Sequence, residues 1–94
     1  MTTSKQLKVF LDKATQDERL LPSHVSLYVA VLSTWSKSRF KEAFRIFRKD
    51  LMRLAHINSI ATYHKCIREL DEYGYLKYSS SYNYYQGCLI RLSY

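Results

Sequence analysis

The chain contains few of the residues that interrupt helices and strands or that build covalent cross-links. Its 94 residues include one proline, two glycines and two cysteines. So little proline and glycine indicates that most of the chain lies in regular secondary structure. Cys66 and Cys88 are too few for a disulfide framework, and neither belongs to a CxxC zinc motif. We therefore expect reduced thiols packed in the core, and no metal or other cofactor.

The sequence also lacks a long apolar run. The longest one covers residues 27–32 and is far too short to cross a bilayer. The N-terminal residues lead into an amphipathic stretch and not into the apolar region of a secretory signal. These features predict a cytoplasmic protein without a membrane segment.

Motifs that carry enzyme chemistry are absent as well. The chain has no Gly-rich phosphate loop, no HExxH sequence and no paired-cysteine motif, and its three histidines are scattered. A tyrosine nucleophile would need Arg, His or a metal around it, and a chain of this length has little frame to assemble such a cluster. We expect a protein that is not an enzyme.

Acidic residues are the minority among the charged ones. Eight of them stand against fifteen Lys and Arg, which gives a formal net charge of +7. Residues 23–58 alone hold seven basic and two acidic side chains. A basic block this concentrated favours a polyanionic partner, most often nucleic acid. The alternative is a solvated basic surface that keeps the protein soluble.

A chain of this length is expected to form one domain. Apolar residues recur at helical spacing between residues 4 and 16, which predicts a helix within an N-terminal extension covering residues 1–22. Pro22 and Ser23 predict the start of a second helix, with Ser23 as a possible N-cap, in a main domain covering residues 23–94. Residues 36–43 are polar and basic, and we expect a loop there.

The second predicted helix, which includes Val25 and Trp35, is apolar on nearly every side. Such a helix has to be covered on all sides, either by other parts of the domain or by a second subunit. We therefore predict a possible homodimer that buries this helix together with Leu7, Phe10 and Leu11.

Residues 48–73 carry the pattern of two helices joined by a tight turn. The first helix is predicted over residues 48–55 and the turn over residues 56–58, with Ile57 as the buried anchor of the turn. Ser59 is a suitable N-cap for the second helix, and Gly74 is a suitable residue to end it. Two closely crossing helices of this kind form a helix-turn-helix.

The C-terminal part predicts a β-hairpin. Residues 75–79 and 88–94 read as strands, and a polar, tyrosine-rich connection joins them. Residues 44–47 alternate weakly and could add a short strand before the first helix of the motif. The predicted fold class is therefore mostly α with a small β-hairpin (α+β), a winged helix-turn-helix with an extra N-terminal helix.

The second helix of the motif also resembles a known family. The run from Ser59 to Tyr63, followed by Ile67, Leu70 and Gly74, resembles bacterial winged-helix regulators. From about Trp35 onward the chain is similar to small winged-helix proteins of bacterial plasmids and conjugative transposons. The shared features are a basic Arg-Phe-Lys loop, a Lys-x-Leu-Met-Arg-Leu helix, a Ser-x-Ala-Thr-Tyr-His-Lys-Cys-Ile helix and a tyrosine-rich wing.

Helical periodicity and this resemblance together define three groups of candidate DNA-binding residues. A helix in the major groove reaches the base edges with its N-terminal half, and basic side chains and tyrosines serve phosphates and the minor groove. On the second helix of the motif the candidates are Ser59, Ile60, Thr62, His64, Lys65 and Arg68. For the DNA backbone they are Lys37, Arg39, Lys41, Arg48 and Lys49. At the tip of the wing they are Tyr82, Asn83, Tyr84, Tyr85 and Gln86.

Two features qualify how this helix would read DNA. Glu69, Asp71 and Glu72 would be repelled by phosphates, so only the first two or three turns are expected near DNA. In related regulators the position of Ile60 is often Arg, and the resemblance therefore shifts base reading toward other residues or toward a thymine methyl. The alternative is an ordinary amphipathic helix with a solvated outer face, and a wing that forms a partner surface.

The resemblance implies sequence-specific binding of double-stranded DNA, as a transcriptional regulator encoded on a bacterial mobile element. One alternative is an architectural accessory factor for excision or plasmid replication. Another is a winged helix that serves as a protein-interaction module.

Overall fold

The computed structural model describes residues 3–39, 43–79 and 87–92. Within these ranges the chain forms an α+β domain of four helices and one antiparallel sheet, which confirms the predicted class of helices with a small β part. The elements are α1 (Thr3–Ala14), α2 (Pro22–Lys37), β1 (Ala43–Ile46), α3 (Arg48–Ala55), α4 (Ile60–Glu72), β2 (Leu76–Ser79) and β3 (Cys88–Leu92).

The sheet has three strands in the order β1-β3-β2. The predicted hairpin is present, since β2 pairs with β3, and the weakly predicted strand β1 adds to the other edge of β3. Phe44 lies opposite Ile90, and Ile46 lies opposite Cys88. All four side chains are buried, because alternate residues of a strand face the same side of the sheet.

Helix α2 lies at the centre of the helical layer and packs against α1, α3 and α4. Most of its apolar side chains are therefore covered within one chain, with Val29 the exposed exception. The buried residues of this helix are His24, Leu27, Tyr28, Ala30, Val31, Leu32 and Trp35.

The same packing removes much of the surface on which the predicted homodimer was based. Phe10 is buried and stacks on Tyr28 with ring centroids 3.9 Å apart, and Leu7 is half-buried. Leu11 and Val29 remain exposed. A second subunit is therefore not needed to cover most of α2, and Leu11 and Val29 are the exposed remainder of the surface predicted for the homodimer.

The start of α2 differs from the prediction. Leu21, and not Ser23, occupies the N-cap position, and Pro22 is the first helical residue. The Leu21 N–H donates to Nδ1 of His24 at 2.8 Å. Proline suits the first position of a helix because it has no N–H that would need a partner there. The side chain of Leu21 caps no N–H of the first turn, and the His24 ring instead accepts the N–H of Leu21 itself. The helix also continues to Lys37, so the predicted loop begins later than residue 36.

The turn between α3 and α4 has the predicted length and anchor. His56 adopts a left-handed conformation with φ 58°, which reverses the chain, and the N–H of Ile57 donates to the Met52 carbonyl at 3.0 Å. Ile57 is buried, as predicted. The Oγ of Ser59 accepts the Thr62 N–H at 3.2 Å, which confirms Ser59 as the N-cap of α4.

The end of α4 is also as predicted. Gly74 has φ 86°, a value that side chains with a Cβ rarely adopt. The Tyr75 N–H donates to the Leu70 carbonyl at 3.0 Å, and the Gly74 N–H donates to the Asp71 carbonyl at 3.1 Å. This pair of bonds is a Schellman motif, which closes the helix and directs the chain into β2.

None of the helices in the described ranges has the length and apolar character needed to cross a membrane.

Candidate nucleic-acid interface

Helix α4 divides into a buried face and an exposed face. Tyr63, Cys66, Ile67 and Leu70 are buried against the rest of the domain. The structure places all of the predicted α4 candidates on the exposed surface of this one helix and its cap. These residues are Ser59, Ile60, Thr62, His64, Lys65 and Arg68.

Side-chain contacts hold α4 against the scaffold. The Sγ of Cys66 donates to the Oγ of Ser23 at 3.2 Å, so the residue predicted as a cap joins α2 to α4 instead. The Oγ of Ser26 donates to the Ala55 carbonyl and joins α2 to α3. These bonds fix the relative position of the two helices on either side of the turn.

The acidic residues near the end of α4 have structural partners. Glu69 accepts hydrogen bonds from Nε2 of the buried His24 at 3.1 Å and from the Tyr73 hydroxyl at 3.2 Å. Burial raises the pKa of Glu69, but these two hydrogen bonds outweigh burial and hold the pKa below its usual range. Asp71 accepts the Tyr78 N–H at 3.1 Å, which joins α4 to β2.

A second set of contacts joins α4 to the sheet at the base of the wing. Tyr63 is fully buried, and burial raises the pKa of its hydroxyl and the pKa of the Cys88 thiol. The Sγ of Cys88 donates to the Ile46 carbonyl at 3.0 Å. The first residue of β3 therefore touches the last residue of β1, and Tyr63 of α4 lies near Cys88.

A concave depression of about 660 Å³ lies between α3 and the start of α4. Its lining combines cations with an apolar floor. The lining residues are Arg48, Lys49, Met52, Arg53, His56, Ile57, Asn58 and Ile60.

Three of these lining residues, Arg48, Lys49 and Arg53, are exposed cations. Arg48 and Lys49 were predicted as backbone contacts, whereas Arg53 was not. The signal for Arg53 was available in the sequence, because it lies four residues after Lys49 and therefore on the same face of α3. A polyanion in this depression would meet three positive charges at once.

The remaining predicted DNA contacts lie away from the depression or outside the described residues. Lys37 ends α2 and is exposed, and Arg39 follows it with φ 64°, also exposed. Neither belongs to the lining of the depression. Lys41 and the wing candidates Tyr82, Asn83, Tyr84, Tyr85 and Gln86 lie outside the described residues.

A polar cluster that the sequence did not predict joins the α1–α2 connection to the end of α4. We call Asp17, Arg19, Tyr73 and Tyr75 the Asp17 cluster. Arg19 donates to both carboxylate oxygens of Asp17 at 2.9 Å, and the Tyr75 hydroxyl donates to Asp17 at 2.8 Å. The Arg19 guanidinium also lies 4.0 Å from the centre of the Tyr73 ring.

The Asp17 cluster changes the titration of its members. Hydrogen bonds from Arg19 and Tyr75 hold the pKa of Asp17 well below its usual range. Burial, with the hydrogen bond to Asp17, raises the pKa of Tyr75 to about 12. Both shifts favour the charge state in which Asp17 is ionised and Tyr75 carries its proton, so the cluster is intact at neutral pH.

In residues 3–39, 43–79 and 87–92, no three His, Cys, Asp or Glu side chains lie close enough together to hold a metal ion.

Comparison with protein families, with curated proteins and with solved structures finds no match for this chain.

Proposed function

We propose that this chain is a winged-helix protein that binds double-stranded DNA in a sequence-specific manner. Two helices joined by a three-residue turn and followed by an antiparallel hairpin are the elements of such a domain. Helix α1 is then the extra N-terminal helix. The order of the elements supports this assignment, since α3, α4, β2 and β3 follow one another in the described part of the chain.

The observation that carries the proposal is the exposed face of α4 beside the basic depression. Lys65 and Arg68 project from α4 to solvent. Arg48, Lys49 and Arg53 line the depression beside the start of α4. A helix with donors on its exposed face, flanked by cations, matches what the major groove and the adjacent phosphates require.

The proposed mechanism is non-covalent. The first two or three turns of α4 enter the major groove, and the depression holds the phosphate backbone that borders the groove. Glu69 and Asp71 are held against the scaffold by His24 and by the Tyr78 N–H, which keeps the acidic end of α4 with the body of the domain. The wing, between β2 and β3, reaches the neighbouring minor groove.

The proposed role is transcriptional regulation of a bacterial mobile element, in the cytoplasm. The resemblance of the region from about Trp35 onward to small plasmid and transposon proteins supports this role. An accessory role in excision or plasmid replication would use the same DNA contacts. A protein-interaction module is the alternative of a different class.

Substitution of Lys65 and of Arg68 by Ala tests the proposal. Each change removes one cation from the exposed face of α4, and we expect affinity for a selected duplex to fall by about ten-fold, because a base or phosphate contact contributes about 1–3 kcal/mol. Lys8→Ala is the matched control, since Lys8 is an exposed cation on α1. Fluorescence anisotropy gives the affinities, and circular dichroism verifies folding.

The salt dependence of binding separates DNA binding from protein binding. Release of counterions from DNA makes the logarithm of affinity fall linearly with the logarithm of salt concentration. We expect Lys65→Ala and Arg68→Ala to reduce this slope if they contact phosphates. Unchanged affinity in both variants would move the interface away from α4, and failure to enrich any sequence from a random duplex pool would contradict sequence-specific binding.

A further inference from the structure

The first turn of α4 exposes methyl groups where a DNA-reading helix usually presents hydrogen-bonding side chains. Ile60 is 50% exposed, the highest fraction among the exposed large apolar side chains of the described residues. Ala61 and Thr62 follow it and are also exposed. An isoleucine left half in water contributes little to the stability of the domain, so this surface calls for another explanation.

The first turn of α4 offers few side chains for hydrogen bonds to base edges. The Oγ of Ser59 accepts the Thr62 N–H and is therefore part of the cap of the helix. No Asn, Gln, Arg or Lys lies between Ile60 and Tyr63, so the first turn lacks the side chains that make two hydrogen bonds to guanine or adenine. Beyond the hydroxyl of Thr62, hydrogen-bonding side chains on the exposed face begin with His64 and Lys65.

The surroundings of Ile60 identify the chemistry of its partner. Ile60 borders the depression whose rim carries Arg48, Lys49 and Arg53. An anionic chain with a small apolar group next to it would complement both the cations and Ile60. The major groove of DNA offers this combination, because the C5-methyl of thymine is the apolar group on its base edges.

We propose that the first turn of α4 selects thymine through contact between Ile60 and the C5-methyl group. This inference rests on the proposed DNA binding and specifies which base the start of α4 reads. Burial of one methyl contributes enough to change affinity by about four-fold. The target site should therefore carry one or two thymines whose methyl groups set the preference at that position.

Deoxyuridine tests the proposal, because it differs from thymidine only by the missing methyl. Sequences are first selected from a random duplex pool, and the selected site is then synthesised with single thymidines replaced by deoxyuridine. We expect the unmodified protein to lose affinity by about four-fold at one or two positions. Ile60→Ala should bind the thymidine and deoxyuridine forms of those sites equally well.

Leu21→Ala is the matched control, because Leu21 is 49% exposed before α2 and lies outside the depression. This variant should discriminate thymidine from deoxyuridine as the unmodified protein does. Equal affinity of the unmodified protein for both duplexes would overturn the thymine contact. Discrimination that persists in Ile60→Ala would overturn the role of Ile60. Failure to bind any duplex would instead overturn the proposed function.

Discussion

At the scale of single residues, the two glycines have left-handed backbones but different surroundings. Gly74 has φ 86°, and a Cβ added to it would meet nothing within 4 Å. Gly87 has φ 70°, and its added Cβ would lie 2.7 Å from the Ile46 carbonyl oxygen. Alanine at either position costs about 1–2 kcal/mol because of the left-handed conformation. At Gly87 the contact adds a displacement of β1, so Gly87→Ala should be the more destabilising change.

Urea denaturation of Gly74→Ala and Gly87→Ala measures this difference directly. Gly74→Asn is the control, because Asn adopts left-handed backbones more readily than Ala and has open space at this position. We expect the free energy of unfolding to decrease in the order Gly74→Asn, Gly74→Ala, Gly87→Ala. An equal decrease in the free energy of unfolding of the two alanine variants would mean that the close approach to Ile46 does not destabilise Gly87→Ala.

The caps of a helix could be predicted from the sequence where one capping residue is enough to identify them. Ser59 has the right side chain at the right distance from Thr62, and Gly74 directly follows Tyr73, the C-cap residue of α4. Ser23 was mispredicted as the cap of α2 because the helix begins before it, at Pro22, with Leu21 as the N-cap residue. Preferences for capping residues favour side chains with an oxygen acceptor, and leucine has none.

At the scale of secondary-structure elements, the Asp17 cluster holds the α1–α2 connection against the end of α4. The lowered pKa of Asp17 means that its ionised form is more stable in the folded state than in the unfolded chain. This contribution is complete above the ordinary aspartate pKa of about 4 and is lost as the pH falls below it. Asp17→Asn should therefore lower the melting temperature at neutral pH and flatten its decrease toward acid.

Thermal unfolding between pH 7 and pH 2.5 tests this expectation by circular dichroism. Glu18→Gln is the matched control, because Glu18 is the adjacent exposed carboxylate. Tyr75→Phe removes the hydroxyl that donates to Asp17 and should produce part of the effect of Asp17→Asn. A melting temperature of Asp17→Asn that follows the unmodified protein at every pH would contradict a stabilising role for the cluster.

The elements themselves were predictable because their signals are local. Helical spacing of apolar residues and strand composition located α1, α3, α4, β2 and β3, and the short strand β1 had only a weak signal. Pairing of β1 with β3 and the Asp17 cluster depend on contacts between distant residues. Asp17 and Tyr75 are 58 positions apart, and no local pattern in the sequence relates them.

At the scale of the whole molecule, the fold explains which part of the candidate site could be predicted. The exposed face of α4 follows from helical periodicity, and its six candidates lie where that periodicity placed them. The depression depends on the angle between α3 and α4, which Ile57 and the contact between Ser26 and Ala55 help to fix. That geometry brings Arg53 of α3 and Ile60 of α4 to the lining of the same depression.

The small number of exposed apolar side chains among the described residues also restricts how two copies of the chain could associate. A stable interface buries about 800 Å² on each partner, and the accessible surface of the described chain is 6276 Å². Most of the apolar residues first considered for a homodimer are buried within one chain, which leaves Leu11 and Val29. We propose that a homodimer, and with it binding to a palindromic site, depends on these two side chains.

Light scattering at high micromolar concentration tests this proposal. The unmodified protein should have twice the mass of one chain. The double variant Leu11→Lys/Val29→Lys should have the mass of one chain, because like charges placed in an apolar contact lose their hydration and repel each other. Leu21→Lys is the control, since Leu21 is equally exposed but lies between α1 and α2. A single-chain mass for the unmodified protein would exclude the homodimer and favour a target site without two-fold symmetry, because the symmetry of a site mirrors that of the protein that binds it.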